Sequence, residues 1–408
     1  MRHTLEIDPL LPLLPALLRN ERHFLFRRVA DRRRSVLCAG LQEALSEPPV
    51  GQGDAPPDWC MLSAEYEWLR PDGSVSPHIE GAPLIRWVRP VWVVDRQADR
   101  TFLHVHPDAG LDPLDLAHAM SSGIEEPSGA LACSWQLSTD RTAYIANVER
   151  LLHHIQRGDI YEVNYCTERT AHWPDLDPFA AFLRLLRRSD APFAAFHRSD
   201  DRFVLCASPE RFLAMDGRRV IGEPMKGTRP RSDDAATDAR LEQELRQDPK
   251  ERSENIMALD VMRNDLSRIA DVASVRVEEL CAVRSYPRVH QMVSTVSATM
   301  APGISLHDVI RAAFPMASMT GAPKERAMEL IRVAEGGPRG AFSGTLGFVS
   351  PDGTADLNVV IRALVFDRQS GTVSLRTGSA LTARCDPSME WEECQTKARS
   401  VIDALHHA

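Results

Sequence analysis

Apolar positions along this chain change period repeatedly, and each change marks an element. Tyr144, Ile145, Val148, Leu151, Leu152 and Ile155 recur at helical spacing and Gly158 follows them, which predicts an amphipathic helix with a glycine stop. Residues 160–170 alternate apolar and polar, the period of a strand. A helix is expected over 179–186, strands over 193–196, 203–207 and 212–215, and a hairpin turn at Asp216-Gly217. Helices follow over 235–246 and 250–269, strands over 341–349, 357–366 and 372–377, and a last helix over 388–405. Upstream, the apolar runs 87–94 and 101–105 read as strands, and the segments 47–58 and 121–128 read as loops. Strands and helices come in runs without strict alternation, so the fold class is α+β. The division expected is an N-terminal α+β region, 1–125, entwined with a catalytic domain, 126–408.

Composition narrows the setting. The chain has 408 residues, 43% of them hydrophobic, room for one large domain or two. A net charge of −9 argues against nucleic acid as a partner. Arg27, Arg28, Arg32, Arg33 and Arg34 form a local basic run, read as a solvated face or strand edge. Eight cysteines without a C-x-x-C pair read as reduced, mostly buried thiols. The apolar stretch 10–18 follows Glu6 and Asp8 and is broken by Pro12 and Pro15, unlike a signal peptide, and no run is long enough to span a membrane. A cytoplasmic enzyme is the expectation.

Several residues could carry chemistry. Glu251 and Glu254 lie three apart on one predicted helix, and Glu390 and Glu393 do so on another, so each pair shares a helix face. Four such carboxylates suit Mg²⁺; spacing alone fits two exposed acidic faces equally well. Lys226 stands between proline and glycine in Glu223-Pro224-Met225-Lys226-Gly227-Thr228-Arg229-Pro230-Arg231. Buried there, it would have its pKa lowered by desolvation and neighbouring cations, freeing a nucleophilic amine; the segment also fits a solvent- or phosphate-facing basic loop. Glu210, at the junction of two predicted strands, is a candidate general acid or a surface partner of Arg211. Gly340, Gly344 and Gly347 offer close approach to the backbone, and Thr320-Gly321-Ala322-Pro323-Lys324 reads as a turn opening a helix.

In order along the chain, these segments resemble the chorismate-binding enzymes. The matching stretches are Gly158-Asp159-Ile160-Tyr161-Glu162-Val163-Asn164, Ala207-Ser208-Pro209-Glu210-Arg211-Phe212, Lys226-Gly227-Thr228-Arg229-Pro230-Arg231 and Lys250-Glu251-Arg252-Ser253-Glu254-Asn255. They continue through Arg263-Asn264-Asp265-Leu266, 320–324, Asp356-Leu357-Asn358, Ile361-Arg362 and Glu390-Trp391-Glu392-Glu393, covering about residues 141–406. The resemblance implies a large β-sandwich core with helices packed outside. It implies that Glu251, Glu254, Glu390 and Glu393 surround Mg²⁺, that Glu210 protonates the departing C4 hydroxyl of chorismate, and that Thr320, Gly321, Gly344, Arg362 and Gly378 bind the substrate.

Lys226 sets the branch within that family. Anthranilate synthases typically have alanine here, whereas aminodeoxychorismate synthases have a lysine that attacks C2 before ammonia attacks C4. The implied activity is therefore that of an aminodeoxychorismate synthase component I, a transferase on the route to 4-aminobenzoate and folate, with Thr228 orienting the lysine or the substrate. The sequence has no Gly-x-Cys-x-Gly elbow, so a glutamine amidotransferase partner is expected to supply ammonia. Isochorismate-type relatives have a lysine base where Glu162 stands, and Gln291 takes the place of a histidine linked to pyruvate loss, with His290 expected on the other face of its strand. Departures from the family pattern are Phe314-Pro315-Met316-Ala317-Ser318, Gly378-Ser379-Ala380 and Phe342. They keep two alternatives in view, an anthranilate synthase component I and a non-catalytic chorismate-binding regulatory subunit.

Overall fold

The computed structural model describes residues 2–8, 12, 14–45, 58–72, 74–76, 78–79, 82–124 and 133–406. Among them the strands form two large antiparallel sheets, one of twelve strands and one of ten. The sheets face one another across a core that includes Leu25, Val36 and Val93 from the first and Met61, Leu346 and Phe348 from the second. The outer face of the twelve-stranded sheet carries phenylalanines, including Phe24, Phe196 and Phe203, under the helix Pro178–Ser189 and the C-terminal helix Pro387–His406. The outer face of the ten-stranded sheet packs Phe212 and Val296 against the helices Pro249–Ser267 and Leu306–Ala313. A sandwich clothed by helices is the α+β architecture expected.

Strands from the first hundred residues extend both sheets. His23–Val29, Arg34–Ala39 and Trp92–Gln97 join the twelve-stranded sheet, while Cys60–Ala64 and Ile85–Arg89 join the other. The boundary drawn at 125 and 126 and the loop expectations over 47–57 and 125–128 lie outside the described residues.

Several expected elements are corrected. The run 87–94 is two strands in different sheets, because Pro90 between them has no N–H for a ladder. The run 357–366 is likewise two strands, Ala355–Asn358 and Ala363–Asp367, one in each sheet. Arg362 between them has a left-handed φ of 53° that no strand accommodates. The strand expected over 193–196 runs Ala195–Ser199, and that expected from 341 begins at Thr345, after Ser343 at φ 63°. The turn expected at 320–324 does open a helix, Lys324–Glu335, and the strand expected around His290 is Val289–Thr299, whereas its partner Arg276–Ser285 and the helix Leu306–Ala313 were not anticipated.

Arg27 overturns the reading of its basic run as solvated. It shares the inner face of its strand with Leu25 and is fully buried between the sheets. Its guanidinium donates to Asp356 at 2.6 Å across the sandwich. Asp356 also accepts from Arg211 at 2.9 Å, Arg211 bonds Glu223, and Glu223 accepts from Arg284 at 2.6 Å. Charges at this depth persist only when paired. Asp356→Ala leaves two buried guanidiniums facing a hole. It should lower unfolding stability by roughly 3–5 kcal/mol in urea titration, and a loss below 1 kcal/mol would show that the network is not a structural tie.

Candidate active site

The site forms where one edge of the ten-stranded sheet meets the start of a long strand in the other. Met225–Pro230 is an edge strand paired with Val289–Thr299. Its register slips between Lys226 and Thr228, at Gly227 with φ 80°, the geometry of a bulge that re-aims side chains. Lys226 shares a face with Met292, towards the helix Pro249–Ser267, whereas Thr228 pairs with Gln291 and is exposed. Of the two roles expected for Thr228, orienting the lysine or orienting the substrate, its exposed position does not serve the first. Glu162 holds the lysine. It opens the strand Glu162–His172, and its Oε1 accepts from Lys226 Nζ at 2.7 Å, the side chains being only 4% and 10% exposed.

The lysine's neighbours reverse another expectation. Arg229 turns away to Asp248 and Glu251, and Arg231 turns to Asp238. Burial alone lowers the pKa of the Lys226 ammonium, but Glu162, Glu254 and Glu210 outweigh it and raise that pKa well above its ordinary value. The resting amine is therefore charged, because its surroundings are carboxylates rather than the cations expected. Glu210 is buried, and desolvation pushes its carboxyl up to about 7 against the pull of the Ser318 hydroxyl and Lys226. Arg211 is committed to Asp356, Glu223 and Asp31, so Glu210 is not its surface partner.

The two acidic pairs occupy the first turns of two helices. Asp248 caps the helix Pro249–Ser267 by accepting from the N–H groups of Lys250 and Glu251, and Pro249 takes the first helical position. Asp386 accepts from Ser388 and Met389 at the start of Pro387–His406. Both helix dipoles thus present their positive ends to the acids. Lys250 spans the gap, donating to Glu390 at 3.0 Å and standing 3.8 Å from Glu254. Glu393 pairs with Lys397, which also donates to the Gly378 carbonyl. Burial raises Glu254 to about 7 against the charges of Lys226 and Lys250, and raises Glu251 and Glu390. Glu393 is lowered, burial being outweighed by Lys397, Lys250 and Lys226.

Among the described residues no three acidic, histidine or cysteine groups stand together at metal-binding distance. The donors nevertheless suit a hard cation. Glu254 Oε1 and Glu390 Oε2 are buried without a hydrogen-bond partner, and the gap they face already holds one positive charge, the Lys250 ammonium.

The remaining expected residues divide. Thr320 is buried, and its hydroxyl donates to the carbonyls of Met316 and Ala317. Gly321 lies so close to the Glu162 carbonyl that a Cβ would sit 2.1 Å from it, and a Cβ on Gly378 would meet Cys166 and Asn164. Both glycines therefore flank the strand that carries Glu162. Gly344 is packed against the Ala64 carbonyl, 2.2 Å from where a Cβ would stand, so strand packing accounts for its missing side chain. Arg362 reaches along the C-terminal helix to Ser400 Oγ at 2.6 Å and the Lys397 carbonyl. His290 bonds Asp238 and Ser285, while Gln291, next along the strand, faces the other way.

Sequence reasoning missed Glu162, Lys250 and Lys397 as participants. The i,i+4 spacing of Lys250 to Glu254 and Glu393 to Lys397 was a legible sign of the latter two. An acid opening an otherwise well-buried strand was the sign of the first.

Comparison with known proteins places the chain among relatives. A family model described as chorismate binding enzyme matches residues 18–403. The aminodeoxychorismate synthase of Streptomyces griseus is 42% identical over 275 residues, 67% of this chain and 38% of that protein. The aminodeoxychorismate synthase component 1 of Klebsiella aerogenes is 38% identical over 275 residues, 67% of this chain and 60% of that protein. The chain thus spans less than two thirds of either relative. The solved menaquinone-specific isochorismate synthase of Escherichia coli superposes with a TM-score of 0.81 at 16% identity, over 99% of this chain and 95% of that one, a likeness of fold. No helix among the described residues is long and apolar enough to cross a membrane.

The raised Glu210 carboxyl has a measurable consequence. Its pKa is about 7 in the folded chain against an ordinary 4.5. The unfolded chain therefore ionises first, and this group's contribution to stability is lost as pH rises from 4.5 to about 7. Glu210→Gln should gain on the wild type in urea unfolding by up to about 3 kcal/mol between pH 4 and pH 8. A difference that does not change with pH would exclude the raised carboxyl.

Proposed function

The chain belongs to the chorismate-binding enzymes, and from that premise we propose that it is the aminating component of a 4-amino-4-deoxychorismate synthase. Chorismate and ammonia give aminodeoxychorismate and water, and the product leads to 4-aminobenzoate and folate. The observation that carries the reading is the buried Lys226 amine, held by one carboxylate and facing the raised acid Glu210. An anthranilate synthase has no use for an amine in this place.

The residues divide the work. Lys226 attacks C2 of the ring, its double bonds shift towards C4, and the C4–O bond breaks. Glu210, uncharged for much of its population near neutral pH, hands its proton to the departing oxygen, which leaves as water. Ammonia then attacks C4, the double bonds return, and the C2–N bond to Lys226 breaks. Holding amine and acid beside the bound ring makes the first displacement effectively unimolecular. Glu251, Glu254, Glu390 and Glu393 would hold Mg²⁺, Lys250 giving up its place between them. An ion held there would supply positive charge for a substrate carboxylate beside an otherwise acidic wall. Gly321 and Gly378 let neighbouring segments pack directly against the strand that carries Glu162 and so hold that acid in place. A glutamine amidotransferase partner supplies ammonia, in keeping with the name component 1 carried by the Klebsiella relative.

Incubation with chorismate, Mg²⁺ and an ammonium salt at alkaline pH, followed by mass spectrometry, tests this. Aminodeoxychorismate is expected, and Lys226→Ala should reduce its rate by about 10³-fold or more. Anthranilate that survives Lys226→Ala would establish the other synthase activity, and chorismate binding without turnover would establish a regulatory subunit.

A further inference from the structure

We propose that Glu162 is the base that takes the proton from the Lys226 amine and returns it at the end of each cycle. The assignment rests on the amination reading above.

An ammonium has no lone pair, so Lys226 must shed a proton before it attacks. Four carboxylates bear on it: Glu162, Glu254 and Glu210, and Glu393 from the C-terminal helix. They come from four separate segments of the chain, and they are not equivalent. Glu210 holds a proton that the leaving oxygen needs. Glu254 stands 3.8 Å from Lys250, and Glu393 is paired with Lys397. Glu162 alone among them makes a hydrogen bond to Lys226 Nζ, at 2.7 Å and out of water. A transfer along that bond needs no solvent and no movement of either backbone.

The proton balance closes. Lys226–NH₃⁺ and Glu162–COO⁻ become Lys226–NH₂ and Glu162–COOH. The amine's lone pair forms the N–C2 bond as the C4 oxygen leaves with the Glu210 proton, which makes water and a secondary ammonium at C2. Ammonia attacks C4, and the N–C2 electron pair returns to Lys226 as a neutral amine. Glu162 gives its proton back, while the new C4 ammonium re-protonates Glu210. No co-reactant beyond ammonia is required.

The carboxylate also raises the lysine's pKa, which gives the test its signature. With Glu162 present the proton moves within the pair, so kcat should show no rising limb for the lysine between about pH 7 and 9. Glu162→Gln keeps a hydrogen-bonding side chain but accepts no proton, and removing its charge lets the Lys226 pKa fall. That variant should lose about 10²-fold in kcat at pH 7 and recover along a single rising limb towards high pH. Its KM for chorismate should stay within about threefold. Glu162→Asp, which retains a base, should keep partial activity with the flat profile of the wild type. An equal loss at every pH in Glu162→Gln, or a wild-type profile, overturns the assignment while leaving the amination reading intact. A wild-type enzyme that makes no aminodeoxychorismate overturns both.

Discussion

The ion pair between Lys226 and Glu162 is the interaction on which the arrangement of the site depends. Its partners belong to different sheets, one on an edge strand of the ten-stranded sheet, the other opening a long strand of the twelve-stranded sheet. Either charge alone at this depth would cost several kcal/mol, by roughly the effective penalty for a buried ion. At 2.7 Å each solvates the other. The pair therefore fixes how the ends of the two sheets meet, and it keeps a charged amine in a place that desolvation would otherwise neutralise.

Around that pair the molecule gathers negative charge and compensates it with short-range devices. Two helix N-termini face the acids, Lys250 and Lys397 bridge them, and burial holds protons on part of the set. A second buried network, from Arg27 through Asp356 and Arg211 to Glu223, ties the sandwich together, Arg211 following Glu210 directly in the chain. The two networks divide the labour. In the first, carboxylates outnumber their cations and two oxygens are unpartnered, which leaves capacity for a ligand. In the second, each guanidinium is bonded to at least one carboxylate, which leaves rigidity.

Much of this was legible along the chain. Period-2 and period-3.6 patterns mark most strands and helices after residue 140, because those periods are imposed by backbone geometry within a few residues. The family resemblance followed from short motifs in a fixed order, and the i,i+3 glutamates were correctly placed on single helix faces. The sequence by itself determined the α+β class, the family and the candidate amine and acids, though not that the acids surround the amine. Only the tertiary structure decided which acid holds that amine, that the amine rests charged, that Thr228 faces away, and that Arg27 lies between the sheets. Those outcomes rest on a bulge at Gly227, on Arg27 meeting Asp356 across the sandwich, and on Glu162 and Lys226 meeting although they are 64 apart in the chain. Long-range electrostatics and desolvation are properties of the folded interior, and no local pattern encodes them.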